Sequence, residues 1–329
     1  MNSVGILGTG AYLPEKVLTN ADLEKLVDTS DEWIVSRTGI KERRIAAPDE
    51  ASSDLAVKAA EQALRRAGIG AEEIDLIIVA TVTPDMSFPA TSCLVQNRLG
   101  AKKAATFDLS AACTGFLYGI STAAQFITTG VYRYALVIGV ECLSRIVDWS
   151  DRSTCILFGD GAGAVVLGPV EDGYGFQSYE LRGDGSGGDL LKLTAGGSRL
   201  PATEETVQSR LHTLSMEGRE VFKFAVRVIG SATDEALKKA GLTKEDIDFL
   251  IPHQANIRII ESAIKRFGLS EEKVIVNVDR YGNMSSASIP VALHEAVEQK
   301  RLHKDDTIVL CGFGAGLTWG ATVLKWSLE

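Results

Sequence analysis

The chain repeats itself. Residues 63–78 read ALRRAGIGAEEIDLII and residues 236–251 read ALKKAGLTKEDIDFLI, identical at eight of sixteen positions. Most of the other positions exchange Arg for Lys, Ile for Leu or Glu for Asp. Apolar residues recur at helical spacing in both copies, at Ala56, Ala59, Ala63 and Ala67, and at Val226, Ile229, Thr233, Ala236 and Ala240. That spacing predicts two amphipathic helices. Each stops at a glycine in C-cap position, Gly68 or Gly241. A short polar loop and a continuous apolar run follow, the pattern of a strand covered on both faces. Two weaker echoes come in the same order: NRLGAKKAATFDLS with KRFGLSEEKVIVNVD, and YALVIGV with TIVLCGF. The spacing is far too long for a solenoid, so a whole domain is duplicated. The pattern breaks at GPVEDGYG, near residues 169–173, which divides the chain into an N-terminal half, 1–171, and a C-terminal half, 172–329. Residues 182–215 are rich in Gly, Ser and Thr with little periodicity, and read as an excursion near a functional site rather than as core.

Composition narrows the classes of function. The 329 residues carry a formal charge of −9, which argues against non-specific nucleic-acid binding, because neutralising phosphates needs a basic surface. No apolar run approaches the roughly 18 residues of a membrane helix, and MNSVGILGTG lacks the basic start of a secretory signal. Five cysteines, an odd number without a CxxC pair, suit free thiols in a reducing compartment. These features predict a soluble, cytoplasmic α/β protein.

Aligning the two copies locates the chemistry. Where the first continues as Val79, Ala80, Thr81, Val82 and Thr83, the second has Pro252, His253, Gln254, Ala255 and Asn256. One position in the fold is bland in one half and chemically loaded in the other, as expected of a duplicated fold with one active site. His253 follows an apolar strand at a turn, where α/β folds present catalytic side chains. His212, His294 and His303 read as surface or helix positions without chemical company. Among the cysteines, Cys93, Cys142, Cys155 and Cys311 have apolar neighbours and read as packing. Cys113 stands apart, at the junction of a predicted strand, AATFDLSAAC, and a predicted helix, TGFLYGISTAAQFI. A helix N-terminus there favours the thiolate, although a small buried residue at a tight turn is the plainer alternative. Asn283, beside Gly282 in DRYGNMSSASIP, is a polar side chain in a loop of small residues, or simply an Asn-containing turn. The glycine-rich stretches GILGTGAYLP and FGDGAGAVVLG lack the helix that a dinucleotide site requires. CGFGAGLTWG reads instead as close backbone approach to a ligand, able to donate N–H groups to an oxyanion.

With TSDEWIVSRTGIKERR, SAACTGF, DRSTCILFGDGAGA, PHQANIRI, YGNMSSASIP and GFGAGLTWG in place, the chain resembles the β-ketoacyl-[acyl-carrier-protein] synthase III family over its whole length. The resemblance implies a thiolase-like fold, an internally duplicated five-layer α-β-α-β-α sandwich. It implies an acyltransferase that joins an acyl-CoA primer to malonyl-loaded acyl carrier protein, with decarboxylation, through an acyl-cysteine. The family's Cys-His-Asn triad falls on Cys113, His253 and Asn283, and its oxyanion-binding backbone on Cys113 and the Gly314-Ala315-Gly316 loop, where Ala315 departs from the usual three glycines. CoA contacts fall on Thr29, Trp33, Arg37, Arg152 and Asn256. The acidic carrier protein is expected to meet Lys223, Arg258 and Lys265, with Arg219, Arg227 and Arg266 on the same stripes; an ordinary solvated helix face is the alternative. The acyl pocket is expected to include Leu143 and, reaching across a homodimer, Phe88. The resemblance implies no cofactor and no metal, CoA being a substrate.

Other readings share the fold. An elongating synthase needs a second histidine where Asn283 stands, and residues 279–290 hold none. A polyketide synthase of the chalcone type shares the triad but resembles this chain less around the first motif and lacks the HQAN form; the runner-up is a related acyltransferase of secondary metabolism, a polyketide-type or signal-molecule synthase. A non-catalytic partner subunit typically loses the cysteine that Cys113 supplies.

Overall fold

The computed structural model describes residues 3–329. The chain first lays down β1 (Val4–Tyr12), a ribbon of β2 (Lys16–Thr19) and β3 (Glu42–Ile45), and then β4 (Leu76–Ala80), β5 (Ala105–Leu109), β6 (Ala135–Cys142) and β7 (Asp160–Pro169). Between them run α1 (Asn20–Leu23), α2 (Asp31–Thr38), α3 (Ser52–Ala67), α4 (Thr91–Leu99) and α5 (Gly115–Thr128). The rest contributes β8 (Gly175–Gly183), a ribbon of β9 (Leu191–Leu193) and β10 (Leu214–Met216), and β11 (Phe249–Pro252), β12 (Thr307–Gly314) and β13 (Thr318–Lys325). Its helices are α6 (Glu204–Gln208), α7 (Gly218–Ala240), α8 (Ile257–Phe267), α9 (Val278–Tyr281) and α10 (Ser288–Glu298).

The repeat in sequence is a repeat in topology. One sheet has the order β1-β7-β6-β4-β5, and the other, read from its far edge, β8-β13-β12-β11. β4 runs parallel to β6 as β11 does to β12, and the next two neighbours are antiparallel in both sheets. The copies differ at one end. β5 forms a full ladder with β4, whereas its counterpart is reduced to a single bridge from Leu250 to Val274. The C-caps predicted for α3 and α7 are present, with Gly68 and Gly241 left-handed at φ +65° and +72°.

Alternate residues of β4 serve opposite faces, Leu76 and Ile78 joining one apolar cluster and Ile77 and Val79 another, which is why its sequence is apolar without interruption. Inside, Phe116, Leu117 and Ile120 of α5 and Ile289, Ala292 and Leu293 of α10 pack with strand residues of both sheets. Outside, α3 covers the first sheet, and α7 and α8 the second. The layers therefore run α-β-α-β-α, as expected. Each large apolar side chain buried this way contributes about 1.5–3 kcal/mol, so the strands that carry the site are firmly anchored.

Two expectations are corrected. His294 lies on α10, in the central layer between the two sheets; it is buried, with Nδ1 3.0 Å from Thr9 Oγ1. Cys93 is exposed on α4, which covers only the edge of its sheet; its Sγ lies 3.2 Å from Thr106 Oγ1. Cys142, Cys155 and Cys311 are buried. Among the described residues no helix is long and apolar enough to cross a membrane.

Candidate active site

Three chain segments converge on one cavity. Beyond β5 the chain turns through Ala112, which is left-handed at φ +46°, an uncommon conformation for a residue with a side chain and one its surroundings must hold. Cys113 follows at the head of α5, 7% exposed. Burial pushes its thiol up to about 12; a hydrogen bond with Ser285 works against that rise, and buried Glu141 reinforces it.

β11 delivers His253, whose backbone N–H donates to the Cys311 carbonyl at 2.8 Å. The imidazole stands edge-on to Phe313, ring centroids 5.3 Å apart, and neither ring nitrogen has a protein partner. Burial draws its pKa down to about 3. His253 is thus a neutral ring with unused hydrogen-bonding capacity in the cavity.

Asn283 follows α9. Its Oδ1 accepts from the Ser285 N–H at 2.8 Å, and its own N–H donates to the Leu157 carbonyl at 2.8 Å. With the oxygen engaged, the amide NH₂ is the end left to serve a ligand.

Cys113, His253 and Asn283 line one cavity together with Phe222, Ala255 and Asn256. Cys113 also borders a second, apolar pocket walled by Val82, Leu143, Ile146, Leu193 and Leu214, with Ser285 and Ala315. The thiol therefore sits where two cavities meet. The turn between β12 and β13 closes against it, and Thr318 ties the two together: its hydroxyl lies 2.7 Å from Thr114 Oγ1, 3.2 Å from the Ala111 carbonyl and 3.0 Å from the Ala315 carbonyl. Ala315 fits this loop without strain, because the left-handed residue is Gly316, at φ +133°.

The remaining expected residues fall into two groups. On α2, the Trp33 ring has two guanidinium groups over it, Arg37 at 4.7 Å and Arg152 at 5.3 Å. Arg152 also donates to the Asp28 carbonyl at 2.8 Å, and the neighbouring Thr29 hydroxyl is buried without a partner. Asn256 caps α8 by accepting from the Arg258 N–H at 2.9 Å, and its NH₂ donates to the Arg37 carbonyl at 3.0 Å. Its carboxamide thus ties α2 to α8 beside the cavity. Lys223 is paired with Glu220 at 2.8 Å, and Arg266 with Asp234 at 2.5 Å. Arg258 and Lys265 are exposed, and Arg258 reaches over the Phe222 ring at 5.5 Å. Phe88 borders neither cavity and is 85% exposed. Among the described residues no cluster of His, Cys, Asp or Glu is arranged to hold a metal.

The sequence reading missed Glu141 and Ser285. Glu141, fully buried at the end of β6, accepts from the Thr83 hydroxyl at 2.6 Å, the Ser286 hydroxyl at 3.0 Å and the Val82 N–H at 3.1 Å. Burial pushes its carboxyl up. An acid inside the apolar run VIGVEC was the available signal. Ser285 is left-handed at φ +47°, matching Ala112. The same 173-residue offset that relates Ala63 to Ala236 relates Ala112 to Ser285 and Cys113 to Ser286, so the second half repeats the turn.

Comparison with known proteins places the whole chain within one family. Residues 107–185 match the family model of 3-oxoacyl-[acyl-carrier-protein (ACP)] synthase III, and residues 237–326 match that of its C-terminal region. The β-ketoacyl-[acyl-carrier-protein] synthase III of Desulfitobacterium hafniense (strain DSM 10664 / DCB-2) is 64% identical over 327 residues, 99% of each chain. That of Caldanaerobacter subterraneus subsp. tengcongensis is 61% identical, covering 99% of this chain and 98% of the other. The crystal structure of the Thermus thermophilus synthase III superposes with a TM-score of 0.92 at 54% identity, over 98% of this chain and 99% of that one.

Proposed function

The chain belongs to the β-ketoacyl-[acyl-carrier-protein] synthase III family and is an acyltransferase of fatty acid biosynthesis, and on that premise we propose how its residues divide the reaction. The overall chemistry is condensation of an acyl-CoA primer with malonyl-acyl-carrier-protein, releasing CO₂ and giving a 3-oxoacyl-carrier protein.

Cys113 attacks the thioester carbonyl of acyl-CoA; the new C–S bond forms, the bond to CoA breaks, and the thiol proton leaves with CoA. A thiol held up at about 12 by burial needs help to react, and the N-terminus of α5 supplies a favourable field for the developing thiolate. The N–H groups of Cys113 and Ala315 receive the carbonyl oxygen as it gains charge. The acyl chain occupies the apolar pocket bordered by Leu143. Malonyl-carrier protein then enters the other cavity. Its carboxylate leaves as CO₂, the electrons pass to the thioester oxygen, and the resulting enolate attacks the acyl carbon; the bond to sulfur breaks, and Cys113 leaves as a thiolate that takes one proton from solvent. A neutral imidazole and a carboxamide NH₂ can both donate to that oxygen, and neither carries a charge that must be desolvated. The electron sink is the thioester itself, so the chemistry asks for no cofactor.

One observation carries this reading: a thiol, an imidazole with no protein partner and an amide with its oxygen already engaged face the same cavity. In this scheme the N-terminal half, 1–171, carries the nucleophile, and the C-terminal half, 172–329, the enolate-binding pair. Trp33, Arg37, Arg152, Thr29 and Asn256 hold CoA, with adenine entering beside the indole. Arg258, Lys265 and Lys223 steer the acidic carrier protein to the cavity. A second copy is supported by the exposed Phe88 and Met86 and by β5, which ends its sheet with one edge unpaired. The test is mass spectrometry after incubation with acyl-CoA, then with malonyl-carrier protein or malonyl-CoA. The expected results are an acylated Cys113 peptide and condensation with the carrier-bound donor. An unmodified Cys113 overturns the scheme, and condensation with free malonyl-CoA alone moves it to polyketide-type chemistry.

A further inference from the structure

Gln254 follows His253 and is fully buried. A buried carboxamide is costly unless its donors and acceptor are used, and here they are. Its Nε2 donates to the Pro252 carbonyl at 2.8 Å and the Ile275 carbonyl at 3.0 Å. Its Oε1 accepts from the N–H groups of Asn277 and Val278 at 2.9 and 3.2 Å. One bond thus returns to the end of β11, beside His253, and the other three reach the segment that opens α9 and leads to Asn283.

α9 spans only Val278–Tyr281, and its N-cap residue, Asn277, makes no side-chain cap of its own. A helix of one turn does not hold itself. Its free amides are taken by Gln254 in the way a capping side chain would take them, but from another element. The Asn277 NH₂ is drawn off to Glu295 at 2.8 Å. Glu295, on α10, also accepts from Arg280 at 2.8 Å and from the Tyr281 hydroxyl at 2.6 Å, so the short helix is gripped at both ends. Cys113 makes no contact with Gln254; its turn is fixed mainly by Thr114, Thr318 and the close approach of Gly314, and it meets the Asn283 segment only through its hydrogen bond with Ser285. In the other half, the position 173 residues before Gln254 is Thr81, whose hydroxyl accepts from the nearby Thr83 N–H at 3.0 Å and donates to Glu141 at 3.3 Å. The long clamp belongs to the reactive half.

We propose that Gln254 is a positioning residue that sets His253 and Asn283 relative to each other, and so serves enolate formation rather than acylation. The proposal rests on the roles given above to His253 and Asn283. Its signature is a split between the half-reactions, because a small misplacement of reacting groups costs about 10²-fold and only one of the two steps uses this pair.

The full-length chain and its Gln254→Ala and Gln254→Glu variants are compared in two assays, acylation of Cys113 by acyl-CoA and CO₂ release from malonyl-carrier protein. Both are normalised to folded protein by circular dichroism. In Gln254→Ala, acylation is expected to stay within about threefold of the parent while CO₂ release falls by about 10²-fold. Gln254→Glu keeps an oxygen facing the Asn277 and Val278 amides and should retain more CO₂ release than the alanine variant. If the alanine variant does not fold, the same split in Gln254→Glu carries the test. Equal loss of both steps per folded molecule, or no loss of either, overturns the positioning role. Failure of the parent chain to acylate or to release CO₂ would instead overturn the underlying reaction scheme.

Discussion

A Cβ built on Gly314 would stand 2.7 Å from the amide nitrogen of Cys113 and 3.0 Å from its Cβ. The strand β12 and the nucleophile's turn therefore touch backbone to backbone, a contact that only glycine permits. Gly314→Ala is expected to displace the turn and slow acyl-cysteine formation by about 10²-fold, with acyl-CoA affinity little changed. Rapid-quench mass spectrometry reads the first and equilibrium titration the second. Acylation at the parent rate would show that this contact does not set the nucleophile.

His253 links the site to acid stability. Burial draws its pKa from the ordinary 6.5 down to about 3 in the folded chain. Between those values the unfolded chain binds a proton that the folded chain refuses. The contribution of the neutral ring is whole above pH 6.5 and is lost as pH falls toward 3, by about 1.4 kcal/mol per unit. His253→Gln removes this titration, so its melting temperature should fall less than the parent's between pH 7 and pH 4.5. Parallel falls would assign acid sensitivity to other groups. The same variant should keep acylation and lose CO₂ release.

Arg152 leans on the Trp33 ring at 5.3 Å, where the proposed scheme brings in the adenine of CoA. Arg152→Ala removes one cationic wall, an interaction worth about 0.5–2 kcal/mol. KM for acyl-CoA should rise by about 2- to 30-fold with kcat nearly unchanged, the pattern of lost uniform binding. A fall in kcat with constant KM would detach Arg152 from the CoA site.

Arg258 is exposed and has no acidic partner among the described residues. In a chain of net charge −9, Arg258→Glu should weaken use of carrier-bound malonate, more at low salt than at high salt. Acyl-CoA use should stay as it is. An unchanged KM for the carrier protein at every salt concentration would return Arg258 to the ordinary surface.

The repeat was legible because duplication leaves identities in the helix, loop and strand that build each core, at Ala63, Gly68 and Ile74 as at Ala236, Gly241 and Ile247. Cys113 and His253 were legible as reactive types at strand ends. Glu141 and Gln254 were not, because their partners come from segments distant in sequence and only folding assembles them. His294 was misread for a related reason: helix α10 is covered on both faces, and nothing local in PVALHEAVEQK announces a second sheet. Asn283 could be named, but which end of its amide faces the cavity depends on the left-handed turn at Ser285, invisible to residue types.

The turns at Ala112 and Ser285 share a left-handed φ, +46° and +47°, yet they lead into different surroundings. After Ala112 comes a thiol that opens onto two cavities; after Ser285 comes a hydroxyl 2.8 Å from the Ala80 carbonyl and 3.0 Å from the buried Glu141 carboxyl. Exchanging the oxygen of Ser286 for sulfur is expected to give a thiol enclosed by the Ala80 carbonyl and the buried Glu141 carboxyl, where burial disfavours the thiolate a nucleophile needs. The fold thus uses one kind of turn twice, and what stands opposite each sets what the residue after it can do.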